Sequence, residues 1–318
     1  MGQTLPNGDG VVEFVGLSER TPQSLRKAFG GTADGEAVHY CAANLIQDLK
    51  MAEAAVVYFR QESGEDYILV SVVEPGNRDR VVYRPEQRGP SRPIESFVDL
   101  AECLKKRDLG TQLAVLNSAR LAKLDLDAAL RAIAAPEDSV ATVNKVWQEL
   151  LDCRSDAYFQ RALWALGHDP DPADRVAATV ILSNFHDRDL SWWALADGLR
   201  DADPTVRGMC GQVLYSLTRY APRRIDWAPA APSLRHVLAG TNLFALSHVI
   251  QMLVATEVSS ELAGTLIGDN GDLVMGYFAA SHEPVRKQAH ALLRQLRGED
   301  LGTKFEPWQQ WVTTLGSE

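Results

Sequence analysis

The chain has 318 residues, 46% of them hydrophobic, and a formal net charge of −10. That length and apolar content allow a sizeable core and make two domains the natural expectation. Both the first 117 residues and the remainder are net acidic, which argues against a dedicated nucleic-acid binder, and no apolar run reaches transmembrane length.

Met1 to Gly8 is polar and turn-rich. A cytoplasmic chain is the default expectation from this start; an exported chain with its signal removed is the alternative. Pro6 stands where a myristoylation signal carries Ser or Thr. Residues 1–117 are expected to form a small α+β domain. A short strand over 11–15 and a helix opened by Thr21-Pro22 come first. A helix over 36–49 follows, with Val38, Cys41, Leu45 and Leu49 on one stripe. Three β runs then span 54–60, 67–74 and 80–84, with turn residues between them, so an antiparallel meander is the simple expectation. After a polar loop over 87–93, a helix over 94–106 completes a small sheet backed by helices.

Residues 118–318 are helical in pattern almost throughout, over 118–134, 139–153, 157–167, 190–200, 206–219, 233–239, 244–255, 259–268 and 272–280. Within this run one unit recurs. Asp171-Pro172 leads to Arg175, Ala178 and Leu182; Asp203-Pro204 leads to Arg207, Cys210 and Leu214; Glu283-Pro284 leads to Arg286, Ala289 and Leu293. Offsets of three and seven from the arginine lie on one helical face, and the small residue admits a neighbouring helix. Proline suits a first turn, and the acid before it can cap. The interval from Arg207 to Arg286 has room for one further unit, where Ala245 to Ala255 supplies an apolar helix. Gly298 is expected to end the last repeat helix, and Pro307 opens a short one whose Trp308 and Trp311 cap the array.

A helical period of roughly 30–45 residues marks an α-solenoid. The unit resembles the HEAT-repeat family over about residues 137–312: Asp201 with Arg207, and Asp169 with Arg175, match its Asp-x5-Arg spacing. The third unit departs, with Ala280 where the family carries its acid. The resemblance implies a superhelical solenoid of bacterial type whose second helices line a concave face. Gln212, Tyr215, Gln251, His290 and Arg294 are the less apolar positions of those helices. Arg219, Arg223 and Arg224 beside Tyr220 form a basic knot on the longest loop between repeats, and loops of such scaffolds often carry function. These eight polar residues are the candidate binding positions. The recurring arginines read as glue between repeats, and Trp192-Trp193, pointing about 100° apart on a helix, leave one indole for a partner.

Catalytic and metal motifs are missing from the pattern. Cys41, Cys103, Cys153 and Cys210 lack metal-ligand spacing, and the histidines form no paired motif. Cys41 and Cys103 would suit a disulfide only in an exported chain. The acid-rich stretches at 169–174 and 269–272 read as turns and helix caps rather than calcium loops. No cofactor is called for. The leading expectation is a non-enzymatic scaffold or interaction module that takes a protein or peptide on its concave face. The alternatives are a HEAT-like enzyme, resembling alkylpurine DNA glycosylases or chromophore lyases, and a ligand-binding N-terminal domain on a solenoid scaffold.

Overall fold

The computed structural model describes residues 3–31, 37–60, 66–92, 109–132, 140–268 and 270–316. It has a small mixed four-stranded sheet at the N-terminus followed by a mostly helical region. Contacts divide the chain into two compact units, one joining Met1–Val82 to Ala231–Glu318 and the other running Tyr83–Ala230. These units do not follow the sequence boundary at residue 117.

The first unit is organised by its sheet, in the order β1 (Gln3–Asn7), β2 (Gly10–Val15), β4 (Asp66–Val73), β3 (Glu53–Arg60). Strands β1 and β2 form a hairpin through Gly8, whose φ of 60° suits the two-residue turn between Asn7 and Gly10. Strand β2 pairs with β4 in parallel, and β3 pairs with β4 antiparallel. The sheet is therefore mixed, which corrects the expected antiparallel meander. Strand β1 falls in the polar start that composition reads as turn. The β run at 80–84 is not a strand: Pro75–Arg80 is a 3-10 turn and the next residues are irregular.

One face of the sheet packs on α1 (Pro22–Ala28) and α2 (Ala42–Gln47) through Val12, Phe14, Leu25, Tyr40, Leu45, Ile68 and Val70. Thr21 and Ser24 close a reciprocal capping box at the start of α1. Helix α2 is shorter than the expected 36–49, since residues 37–40 are irregular. The expected helix at 94–106 lies outside the described residues. The apolar run of β4, buried along nearly its whole length, shows why one layer of helices is not enough. Its other face meets helices of the C-terminal segment, where Ser71 Oγ lies 3.1 Å from Tyr277 Oη.

The second unit carries, among its described residues, α3 (Leu109–Leu121), α4 (Leu126–Ala132), α5 (Val140–Asp152), α6 (Asp156–His168), α7 (Pro172–Leu182), α8 (Asp189–Gly198) and α9 (Pro204–Tyr220). The helix expected over 118–134 is two helices, broken at Lys123, which takes a positive φ of 59°. Helices α7 and α9 start as their sequences predict: Pro172 and Pro204 enter the first turn, and Asp171 and Asp203 cap. Ala178, Cys210, Leu182 and Leu214 all lie in the core. Helix α8 approaches α9 closely at Gly198, where a Cβ would lie 2.4 Å from Cys210 Sγ.

The first unit ends with α10 (Ala231–Leu238), α11 (Leu243–Ala255), α12 (Ala263–Ile267), α13 (Asp272–Phe278), α14 (Glu283–Arg297) and α15 (Phe305–Leu315). Helix α14 stops at Gly298, φ 78°, as expected of a glycine C-cap. Its N-cap is His282 rather than Glu283, which sits one residue inside and pairs with Lys287 at 2.7 Å. Trp308 is fully buried on α15 and its indole N–H donates to Gly302 O at 2.7 Å. Among the described residues no helix is long and apolar enough to cross a membrane.

Gly276 on α13 packs directly on β2, and a Cβ there would lie 2.4 Å from Val15 Cγ1. Because Val15 is itself buried in the sheet, Gly276→Ala should cost about 1–3 kcal/mol through overpacking. A lowered urea midpoint checks this; an unchanged midpoint would mean that helix and strand do not press on each other.

Candidate functional site

The recurring arginines share one local geometry. Arg175 Nη1 donates to the carbonyls of Asp169 and Pro170 at 2.7 and 3.2 Å. Arg207 Nη1 donates to Asp201 O and Ala202 O at 2.7 and 2.8 Å. Arg286 Nη1 donates to Ala280 O and Ser281 O at 3.0 and 3.3 Å. In each case the fourth residue of a helix reaches back to the two carbonyls that precede the helix-starting turn. Those carbonyls turn away from any helical partner, so a guanidinium fork on the adjoining turn is a near-ideal donor for them.

The acids complete the turns. Asp169 and Asp201 each accept the backbone N–H two residues on, from Asp171 and Asp203, at 3.0 and 2.9 Å. Asp201 also binds Arg175 from the preceding turn, through Nε at 3.1 Å and Nη2 at 2.9 Å. A second guanidinium, that of Arg84, bonds the same carboxylate and also reaches Asp197 at 3.0 Å. Burial alone would lower the Arg84 pKa, but Asp197 and Asp201 outweigh it and hold the group above its ordinary value. Asp169 is held in parallel by Ser91 Oγ at 2.9 Å and Arg92 N–H at 3.1 Å.

At the third turn Ala280 has no carboxylate, and Glu13 of β2 supplies one. Its Oε2 accepts from Ser281 N–H at 2.8 Å, Ser281 Oγ at 2.7 Å and Tyr67 Oη at 2.5 Å. Burial, then the bond to Glu13, raises the Tyr67 phenol far above its usual range. His282 stacks on Tyr67 at 4.6 Å and lies tilted against Phe59 at 4.4 Å, and burial lowers its pKa against the pull of Glu13. Arg84 and Glu13 are the residues that pattern reading misses. Glu13 does leave a signal: it is the lone charge inside the apolar strand Gly10–Val15.

The expected binding positions fall in both units. Gln212, Tyr215 and Arg219 follow one face of α9, with Gln212 and Arg219 exposed and Tyr215 half-buried. Arg219 Nη1 donates to Tyr215 Oη at 3.2 Å, and its guanidinium lies 5.5 Å from the Tyr220 ring. The basic knot is divided. Arg223 is used by the fold, donating through Nε to His186 O at 2.9 Å and pairing with Asp189, whereas Arg224 is exposed. Trp192 is fully buried, edge-on to Trp227 at 6.3 Å. Trp193 is half-buried, and its indole N–H is spent on Asp226 O at 2.7 Å, which anchors the same loop.

In the other unit, His290 and Arg294 converge on Asp300, at 3.0 and 3.6 Å. The Gly302 N–H first, then His290 and Arg294, hold the Asp300 carboxyl below its usual pKa. His290 also touches Phe278 and Trp308, with ring centroids 5.4 and 5.6 Å away, so it braces the C-terminal turn. A cleft of about 470 Å³ opens beside this group, lined by Val254, Ala291, Arg294, Gln295 and Asp300. Gln251, half-buried on α11, is not part of its lining.

Two of the described cysteines, Cys153 and Cys210, are buried thiols. Burial, then Glu149 and Asp152, pushes the Cys153 thiol up to about 12, and burial raises Cys210 further still. Cys41 is a free thiol, and Cys103 lies outside the described residues. No group of three or more His, Cys, Asp or Glu among the described residues is arranged to hold a metal ion.

Neither a family model, nor a curated protein, nor a solved structure matches this chain.

Arg207 joins its two carbonyl bonds to a stacking contact, 4.2 Å from the Tyr83 ring. Arg207→Ala should therefore cost about 1–3 kcal/mol, whereas Arg224→Ala, at an exposed position, should stay within about 0.5 kcal/mol. Equal urea midpoints for the two variants would contradict the turn clamp. At pH 8 the native protein should react with a disulfide reagent at Cys41 before Cys153 or Cys210, because Cys41 is partly exposed whereas the other two are buried with raised pKa values. Mass mapping of the labelled sites checks the order.

Proposed function

We propose that this chain is a non-enzymatic interaction module, a HEAT-like solenoid that takes an extended acidic peptide or protein segment along α9. The observation that carries the reading is the shared arginine geometry at the turns before α7, α9 and α14, joined between the first two by the Arg175–Asp201 pair. A unit that repeats both its sequence and its turn chemistry is how stacked helical scaffolds are built. The choice of α9 rests on side chains that face outward: Gln212 and Arg219 are exposed, Tyr215 and Tyr220 supply aromatic area, and Arg224 adds a second exposed cation. Aromatic and arginine side chains are the residue types that dominate binding hot spots. Two cations beside two phenols favour a partner segment bearing carboxylates.

A displayed peptide library panned on the full chain tests the proposal. Enriched peptides should be acidic, and their binding should weaken by about ten-fold or more in the Tyr215→Ala, Arg219→Glu double variant, the scale of a hot-spot loss. Peptides that bind the double variant equally well would place the binding face elsewhere. Enrichment of no sequence would count against an interaction module of this kind.

A further inference from the structure

Two shielded arginines of the second unit, Arg175 and Arg84, are neutralised by carboxylates, and Arg120 differs from them. Arg175 and Arg84 meet the carboxylate of Asp201, and Arg84 also meets Asp197. Arg120, near the end of α3, has no carboxylate partner among the described residues. Its Nη2 donates to two neutral acceptors, Asn117 Oδ1 at 2.8 Å and Ser183 Oγ at 2.6 Å. Its Nε is buried with no hydrogen-bond partner, and so is the Nδ2 of Asn117, whose side chain is fully out of solvent.

The electrostatics are equally one-sided. Burial, then the like charge of Arg154, pushes Arg120 down to about 10, so it remains a cation at neutral pH. Arg154 is exposed and makes no ion pair among the described residues. His186 feels both Arg120 and Arg223; burial, with these two cations, lowers its pKa against the opposing pull of Asp187. A desolvated guanidinium without a counter-charge is costly, by several kcal/mol in general, and an unsatisfied buried amide adds to it. Retaining both side by side makes physical sense if an outside acceptor completes them. Two N–H donors left open and a cation in low dielectric match an oxyanion; Arg154 follows Cys153, whose carbonyl accepts from Asn184 next to Ser183, and so adds a second cation on that side. Arg120 as a whole keeps partial solvent contact.

We propose that Arg120 and Asn117, with Arg154 at the rim, form a binding site for an oxyanion, either a phosphate or a carboxylate group. The site shares no residue with the peptide face proposed on α9, so the two proposals fail separately.

The test uses the full chain, with calorimetric titration and thermal melts in inorganic phosphate and in acetate, against sodium chloride at equal ionic strength. One oxyanion should bind saturably and raise Tm, since a ligand of the native state alone stabilises it. Binding of phosphate alone would identify a phosphoryl site, and binding of acetate alone a carboxylate site. Arg154→Gln, at an exposed position that the fold does not need, should weaken binding by about ten-fold, the scale of one charge-assisted contact. Arg120→Gln should abolish binding; where that variant does not fold, Arg154→Gln decides. No heat or Tm rise beyond the chloride control with either anion would overturn the proposal. So would binding that Arg154→Gln leaves unchanged.

Discussion

The second unit depends on the carboxylate of Asp201. It is almost wholly buried, and an isolated buried carboxylate would cost several kcal/mol. Here it accepts from Arg175, Arg84 and the Asp203 amide, so its lone pairs are filled and its charge is met twice. Each donor belongs to a different piece of chain: the first turn of α7, the segment after Val82, and the turn that starts α9. One side chain thus fixes the relation of three elements. The penalty for breaking it is larger than the gain from making it, because any single deletion strands a charge in the core.

The first unit solves the same problem with a different residue. Where the repeat has Ala280 instead of an acid, Glu13 arrives from the sheet and takes the Ser281 amide and hydroxyl. This replacement also ties the sheet to the C-terminal helices of its unit. Its strand β2 completes a helix-starting turn, and its Tyr67 shares the same carboxylate. Glu74 does comparable work at the sheet's end, accepting from the backbone N–H groups of Ser18, Glu19 and Arg20 at 2.5, 2.5 and 2.9 Å. Polar groups so enclosed are tolerable because nearly all of their bonding capacity is used.

Local chemistry made part of this legible in the sequence. Asp171-Pro172 and Asp203-Pro204 specify helix starts whatever surrounds them, and Gly298 specifies a helix end. The arginine spacing predicted glue between repeats; the structure instead gives each arginine a clamp on the carbonyls of its own turn, and of the three Arg175 alone also reaches the next turn, at Asp201. Sheet order was not legible, because the parallel pairing of β2 with β4 depends on a crossover that hydrophobic alternation does not encode. The run at 80–84 misled for a related reason. Its β-prone residues make single bonds, such as Val82 N–H to Thr241 Oγ1 at 2.9 Å, rather than a ladder. The candidate surface was partly legible: Gln212, Tyr215 and Arg219 do share a helix face, whereas Arg223 and His290 are drawn into tertiary contacts that no local pattern announces. Arg120 was invisible for the opposite reason, since a missing counter-charge can be seen only when the fold is known.

The peptide face proposed on α9 and the oxyanion site proposed at Arg120 both presuppose a rigid second unit, and that rigidity is assigned to the Asp201 cluster. A double-mutant cycle between Arg175→Met and Asp201→Asn, followed by urea unfolding of the full chain, measures the assignment most directly. The account predicts a coupling energy of about 2 kcal/mol or more, as befits a buried bidentate pair. A coupling near zero would mean that the two groups act independently, and that something other than this carboxylate ties the turns together.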